Sequence, residues 1–290
     1  MVAYIEVVST NPTTRRSKMK AVSKTIIACA IAATSMFGAA AHADNFNPFT
    51  VEYDGRKFTA DKITGNYSEV ATFTPSTPTS TSGTFDVSLY WNAGQFVTGE
   101  GNTAVNGTGL TNDYGLYAVY RASGTYGVVN GRNQFTFTEG SGSLAMYLDA
   151  GLNTTFGLGA TGADGVILGN TGDDLLLAEG DPLSGFGVLD PTLPTCGPRG
   201  INCGSFGADS TFALAGFGPE FFTSPNPFYN MSFQSGQLNN FQVDGTQRIN
   251  GSLDVVFGNA AEVPEPASVA LLGLGMLGLY GARRRNKKAA

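Results

Sequence analysis

The chain has 290 residues, with 17 Lys and Arg, 23 Asp and Glu and one His, which gives a formal net charge of −6. The basic residues concentrate at the two ends, so that residues 44–266 hold seven basic against 22 acidic side chains, a net charge of −15. This acidity excludes nucleic acid and anionic membrane faces as partners of the central region, because both bind cationic surfaces.

The N-terminal segment has the pattern of a secretory signal peptide that starts at Met19. Two lysines precede an uncharged apolar run over residues 25–41, and Ala41-His42-Ala43 forms a small-x-small cleavage site. We therefore expect residues 1–43 to carry a signal helix and to be removed on export.

The region from 44 to 262 has the pattern of an all-β domain. Its apolar runs are short and alternate with polar residues, and none shows a sustained helical period. Gly, Asn and Pro turns between them predict an antiparallel β-sandwich or a jelly-roll-like domain. The predicted strands are Phe58–Asp61, Tyr67–Phe73, Thr84–Trp91, Gly115–Arg121, Gln134–Thr138, Ser143–Asp149, Thr211–Ala215, Asn230–Gln234 and Ser252–Phe257.

Two stretches interrupt the strand pattern. Thr74–Gly83 is a Ser, Thr and Pro tract, typical of a hairpin loop. Leu175–Asn202 contains four prolines and one cysteine, and its length predicts an ordered insertion rather than a free loop.

Histidine and cysteine restrict the chemistry of the exported chain. The only histidine, His42, lies within the signal peptide, so a Ser-His-Asp triad and any His-ligated metal site are excluded. Two cysteines remain, Cys196 and Cys203, and an isolated pair in an oxidising compartment predicts a disulfide. Free or metal-bound thiols are the alternative.

Two Gly-Asp turns suggest a calcium site. Gly169–Leu176 and the looser copy Gly159–Val166 follow the pattern of calcium-binding nonapeptide turns, which makes Asp164, Asp173 and Asp174 candidate ligands for a hard cation. The copies lie ten residues apart rather than nine, and two turns are too few for a β-roll. The alternative is a pair of acidic turns between strands with no cofactor.

One aromatic-rich loop is a candidate glycan site. Phe221, Phe222, Phe228 and Tyr229 flank a Ser-Pro-Asn-Pro segment, and exposed rings there could stack on sugars. The alternative is that these rings fill the end of the β domain.

The C-terminus resembles the PEP-CTERM sorting signal of Gram-negative bacteria. Pro264-Glu265-Pro266 precedes an uncharged apolar helix over residues 267–282, and Arg283-Arg284-Arg285 follows it. The resemblance implies that an exosortase-type membrane peptidase recognises residues 263–290. The apolar helix is just under the usual spanning length of about 20 residues, and the cations behind it favour the cytoplasmic side. We therefore expect transient anchoring in the inner membrane before release to the surface or matrix.

The central region also resembles a more specific group, the flocculation-associated PEP-CTERM proteins of floc-forming proteobacteria. This likeness implies a secreted protein that gathers cells into flocs or biofilm together with exopolysaccharide. The family pattern supplies no catalytic residues, so we expect a non-enzymatic protein. The segments that carry the likeness are Asn45–Val51, Phe58–Tyr67, Trp91–Phe96, Pro191–Cys196 and Phe233–Phe241.

Three functional hypotheses remain open. The domain binds polysaccharide as a lectin-like module, or it associates with itself through calcium, as its charge of −15 and its acidic turns suggest. A polysaccharide hydrolase with two carboxylates is the third, because glycoside hydrolysis needs no histidine.

Overall fold

The computed structural model describes residues 46–196, 202–239 and 242–260. The predicted signal helix, its cleavage site and the sorting helix all lie outside these residues. The described part is built from strands and one short helix, α1 (Gly218–Phe221). In chain order the strands are β1 (Phe49–Tyr53), β2 (Arg56–Ala60), β3 (Lys62–Pro75), β4 (Gly83–Thr98), β5 (Thr103–Ala104), β6 (Gly115–Val129), β7 (Arg132–Phe137), β8 (Ser143–Asp149), β9 (Thr155–Gly157), β10 (Ile167–Gly169), β11 (Asp174–Gly180), β12 (Pro182–Leu189), β13 (Gly204–Thr211), β14 (Ala213–Leu214), β15 (Phe222–Ser224), β16 (Met231–Leu238) and β17 (Gly245–Gly258).

Eight of these strands form one closed antiparallel sheet. The pairing runs β6-β7-β12-β13-β16-β17-β3-β4, and β4 pairs again with β6 to close the ring. The all-β, antiparallel prediction is therefore confirmed. The arrangement is barrel-like and is not the predicted sandwich or jelly roll, because one sheet curls onto itself instead of two sheets packing face to face. Strands of 14–16 residues, such as β3 and β4, are long enough to coil around a common core.

The wall of the closed sheet divides at β6. The second half of β6, from Gly124, pairs with β7, whereas its first half, up to Arg121, pairs with β8. From β8 the pairing continues through β11 to β14, which directly follows β13 in the chain. The wall therefore has two branches that both begin at β6. One runs through β7 and β12 to β13, and the other runs through β8 and β11 to β14. The segment Leu175–Asn202, predicted as an insertion, supplies both β11 and β12 to this wall.

Aromatic rings fill much of the interior, and glycines on the facing strands make room for them. Trp91 is buried, and its indole N–H donates to the Leu253 carbonyl at 3.0 Å. A Cβ at Gly65 would lie only 2.5 Å from the Trp91 Nε1 atom and would collide with the Asn92 carbonyl oxygen. The close packing of β3 on β4 at this point therefore requires glycine.

A small three-stranded sheet, in the order β15-β1-β2, packs near the end of the closed sheet where β4 and β17 finish. Phe49 of β1 lies 5.2 Å from Phe257 and 6.4 Å from Phe96, measured between ring centroids. Because these rings are buried, the small sheet excludes water from this end of the core.

Cys196 and Cys203 form the predicted disulfide. Cys203 is buried, and its backbone joins two strands: its N–H donates to the Leu238 carbonyl, and its carbonyl accepts from the Asp190 N–H. The bridge therefore fixes the chain between β12 and β13. Within the described ranges, none of the helical structure is long and apolar enough to cross a membrane.

Candidate functional site

The most prominent external feature is the segment 150–173, which contains the paired strands β9 and β10 and which we call the outer hairpin. It lies against the outside of the closed sheet. The Gly162 N–H donates to the Thr72 Oγ1 atom at 2.9 Å, and Arg121 donates to the Ala163 carbonyl at 2.5 Å. A side chain at Gly162 would collide with the Asp86 carbonyl oxygen, so the backbone of the outer hairpin packs directly on the backbone of β4.

Carboxylates hold the base of the outer hairpin. Asp149, at the end of β8, accepts hydrogen bonds from the backbone N–H groups of Gly151, Asn153 and Thr154 at 3.0–3.2 Å. Asp174, its partner on β11, accepts from the Thr154 hydroxyl at 2.8 Å. These bonds tie the start of the hairpin to the strands on which it is built.

A row of aromatic rings runs along the outer face next to this base. Phe156 of β9 stacks on Tyr90 of β4, with ring centroids 4.8 Å apart and planes inclined by 19°. Phe156 also meets Tyr117 edge to face at 5.0 Å, and Tyr117 stacks on Tyr147 at 5.2 Å. The Tyr117 hydroxyl donates to Asp174 at 2.6 Å, and burial together with this bond raises the pKa of Tyr117.

A groove of about 270 Å³ opens between the outer hairpin and strands β3 and β17. Tyr90 and Phe156 are half-buried in it, whereas Arg248 and Asn250 are exposed. Arg248 reaches across to the Leu158 carbonyl at 3.5 Å. Aromatic rings beside exposed hydrogen-bonding side chains suit a ligand with both apolar faces and hydroxyl groups. The groove is lined by Ser68, Tyr90, Phe156, Gly157, Leu158, Arg248, Ile249 and Asn250.

The structure does not bring all three predicted calcium ligands together. Asp173 and Asp174 lie together, and the third carboxylate beside them is Asp149, with ligand oxygens of all three within 4.8 Å of one another. Asp164 is not in this cluster. It accepts from the Thr161 N–H and hydroxyl in its own turn, and these bonds lower the pKa of its carboxyl. Among the described residues Asp164 is thus not grouped with Asp173 and Asp174, and calcium binding at their cluster stays a prediction.

The predicted glycan-stacking rings are part of the core. Phe221 and Phe222 are buried, so they cannot offer a face to a sugar, and their assignment as glycan-binding residues is wrong. Phe228 packs 4.9 Å from Phe222, and the Tyr229 hydroxyl donates to the Pro48 carbonyl at 2.9 Å. These rings are better described as filling the end of the domain. The sequence does not reveal the groove, because its residues come from four separated segments.

In the comparison with protein-family models, the chain matches the PEP-CTERM protein-sorting motif over residues 262–285. This range contains Pro264, Glu265 and Pro266 and ends on Arg283, Arg284 and Arg285. The chain therefore carries the signal of an exosortase-sorted protein, and that signal places it in the class of extracellular or cell-surface proteins. The comparisons with curated proteins and with solved structures give no match.

Proposed function

We propose that this protein is a non-enzymatic component of the extracellular matrix that supports floc or biofilm formation together with exopolysaccharide. The observation that carries this proposal is the sorting motif at residues 262–285, which marks a protein destined for the outside of the cell. The resemblance of the central region to flocculation-associated PEP-CTERM proteins supports the more specific role.

The groove beside the outer hairpin is the proposed contact with polysaccharide. A neutral or weakly acidic glycan has ring faces that pack on aromatic side chains and hydroxyl groups that hydrogen-bond to Arg, Asn and Ser. The groove offers Tyr90 and Phe156 for the first contact and Arg248, Asn250 and Ser68 for the second. The outside of an otherwise acidic domain thus presents a cation at this place.

Retention on the producer's own exopolysaccharide tests the proposal. We expect the exported protein to bind the immobilised polysaccharide and the Tyr90→Ala variant to lose about tenfold or more in affinity, as expected when a central aromatic contact is removed. Phe186→Ala is the matched control, because Phe186 is an aromatic side chain that is 44% exposed on β12, outside the groove. Equal retention of both variants would contradict the assignment of the groove, and no retention of the unaltered protein would contradict polysaccharide binding itself.

Calcium-bridged self-association is a second candidate, favoured by the cluster of Asp149, Asp173 and Asp174. We expect light scattering of the exported protein to rise with calcium and to fall with a chelator, and Asp173→Asn to weaken this response. No change between calcium and chelator would remove the candidate.

The hydrolase alternative receives less support from these carboxylates. Asp149 and Asp174 are opposite each other in the β8–β11 pairing, but their oxygens already accept hydrogen bonds from the hairpin base. Groups held in this way are suited to fixing a loop rather than to exchanging protons with a substrate.

A further inference from the structure

The inside of the closed sheet contains a cavity of about 80 Å³. Its wall is mainly apolar and comes from both branches of the sheet, with Phe135 of β7 and Leu144 of β8 among the lining residues. The volume is several times that needed for one water molecule. Most of this wall offers no hydrogen-bond partner to water, so its apolar part suits a hydrocarbon group.

Few polar groups reach this cavity. On one side Gln234 donates to the Ser232 hydroxyl at 2.7 Å and accepts from the Ser210 hydroxyl at 3.4 Å, so these groups satisfy one another. On another side are Glu69 of β3 and Tyr120 of β6.

Glu69 and Tyr120 lie in one lateral row of the sheet. Glu69 pairs with Leu89, and Leu89 pairs with Tyr120, so the two polar side chains point to the same interior face. The Tyr120 hydroxyl is buried and has no hydrogen-bond partner, and Glu69 has no hydrogen bond or ion pair within the described ranges of the chain. Glu69 is itself one of the residues that line the cavity.

An unpaired carboxyl group in an apolar space is costly in its charged form. Burial raises the pKa of Glu69 from its ordinary value of 4.5 to about 7. The lining contains no Lys or Arg that would offset the charge. A ligand with a cationic group would therefore supply the positive charge that the lining of the cavity does not provide.

We propose that this cavity is a binding site for a small aliphatic molecule with a primary amine head. The ammonium group pairs with the Glu69 carboxylate and donates to the Tyr120 hydroxyl oxygen, while the hydrocarbon part packs against the apolar wall. The cavity volume limits the ligand to about three non-hydrogen atoms, since a cavity of about 150 Å³ is known to hold the six carbons of benzene. This site is inside the sheet, and it is independent of the external groove and of the matrix role.

Titration of the full chain with three ligands of equal size tests the proposal by NMR. We expect ethylamine to bind about tenfold more tightly than ethanol, because the amine adds a charge-assisted hydrogen bond. Formate should bind more weakly still, because its carboxylate is repelled by Glu69. The measurements are made at pH 7.5, where the amine is protonated.

The Glu69→Gln variant distinguishes the contribution of the ligand's amine group to affinity from the contribution of the apolar wall. We expect this variant to lose about tenfold in affinity for ethylamine and to keep its affinity for ethanol within about twofold. Ala118→Leu, which fills the cavity from β6, should abolish binding of both ligands, with a thermal melt of the variant as the check of folding. Absence of ethylamine binding by the unaltered chain, or equal affinities for ethylamine and formate, would overturn the proposal.

Discussion

At the scale of single residues, Glu69 is the clearest departure from the alternation that otherwise explains β3. Its neighbours on the same face, Tyr67 and Ala71, are buried, as expected for the inside of a closed sheet. The sequence pattern predicted the strand Tyr67–Phe73 but not that its single acid would point inward. Only the position of β3 between β4 and β17 shows which face is enclosed.

The enclosed carboxyl predicts how stability depends on pH. Because folding raises the pKa of Glu69 from 4.5 to about 7, the folded state binds this proton more tightly than the unfolded state. This proton on Glu69 stabilises the folded state fully below pH 4.5, and the stabilisation is lost as the pH rises through 7. Its loss lowers the free energy of unfolding by roughly 3 kcal/mol. Tyr67 and Tyr120, whose pKa values burial raises, stay neutral over this range.

Urea denaturation at several pH values, compared between the unaltered protein and Glu69→Gln, measures this contribution. We expect the difference in unfolding free energy between the two proteins to change between pH 4.5 and 7. A difference that is constant across this interval would show that Glu69 titrates in the folded protein as it does in the unfolded chain.

The contact between Gly65 and Trp91 predicts a second effect at the residue scale. Gly65→Ala places a Cβ against the Trp91 ring and the Asn92 carbonyl, so we expect it to destabilise the protein by about 1–3 kcal/mol. Gly172→Ala is the matched control, because a Cβ at Gly172 meets nothing within 4 Å. Thermal melts of the two variants test this difference, and equal midpoints would contradict the close packing of β3 on β4.

At the scale of elements, several alternating strands were predicted at or near their observed bounds, whereas β1 and strands without alternation were missed. β8 has the predicted bounds of Ser143–Asp149, because its apolar residues fall on every second position. β11 was missed because Leu175, Leu176 and Leu177 are consecutive, and β12 because it begins at a proline and carries two glycines. Closure of the sheet depends on the β4–β6 pairing, which is a non-local contact that no local pattern encodes.

The outer hairpin is the element on which the groove depends, and Asp149 accepts three of the hydrogen bonds that hold the base of this hairpin. Removing three charge-assisted hydrogen bonds by Asp149→Ala should lower the unfolding free energy by about 2–4 kcal/mol. We also expect faster hydrogen exchange over residues 150–173.

Asp164→Ala is the control for this prediction. It removes a carboxylate of equal charge, and the hydrogen bonds that it breaks belong to one exposed turn at Thr161, so the loss of stability should be smaller than for Asp149→Ala. Unchanged exchange in the Asp149→Ala variant would show that the hairpin is held by other contacts.

At the scale of the whole molecule, the charged residues are divided unevenly along the sequence, in agreement with a sorting motif at residues 262–285. The cations lie at the ends, where a membrane-sorted protein needs them, and the central region has a net charge of −15. Such a charge keeps copies apart unless cations or polysaccharide join them. The sorting motif could be predicted from the sequence because its three parts are contiguous, whereas the groove combines residues from position 68 to position 250.

The central claim is that the protein is exported and sorted to the outside of the cell. Mass spectrometry of the native protein from the cell surface or culture medium tests it most directly. We predict a first residue at Asp44 and a last residue near Pro264-Glu265-Pro266, with the apolar helix and its arginines removed. Recovery of one species with Met1 and Ala290 both intact, confined to the cytosolic fraction, would contradict the account.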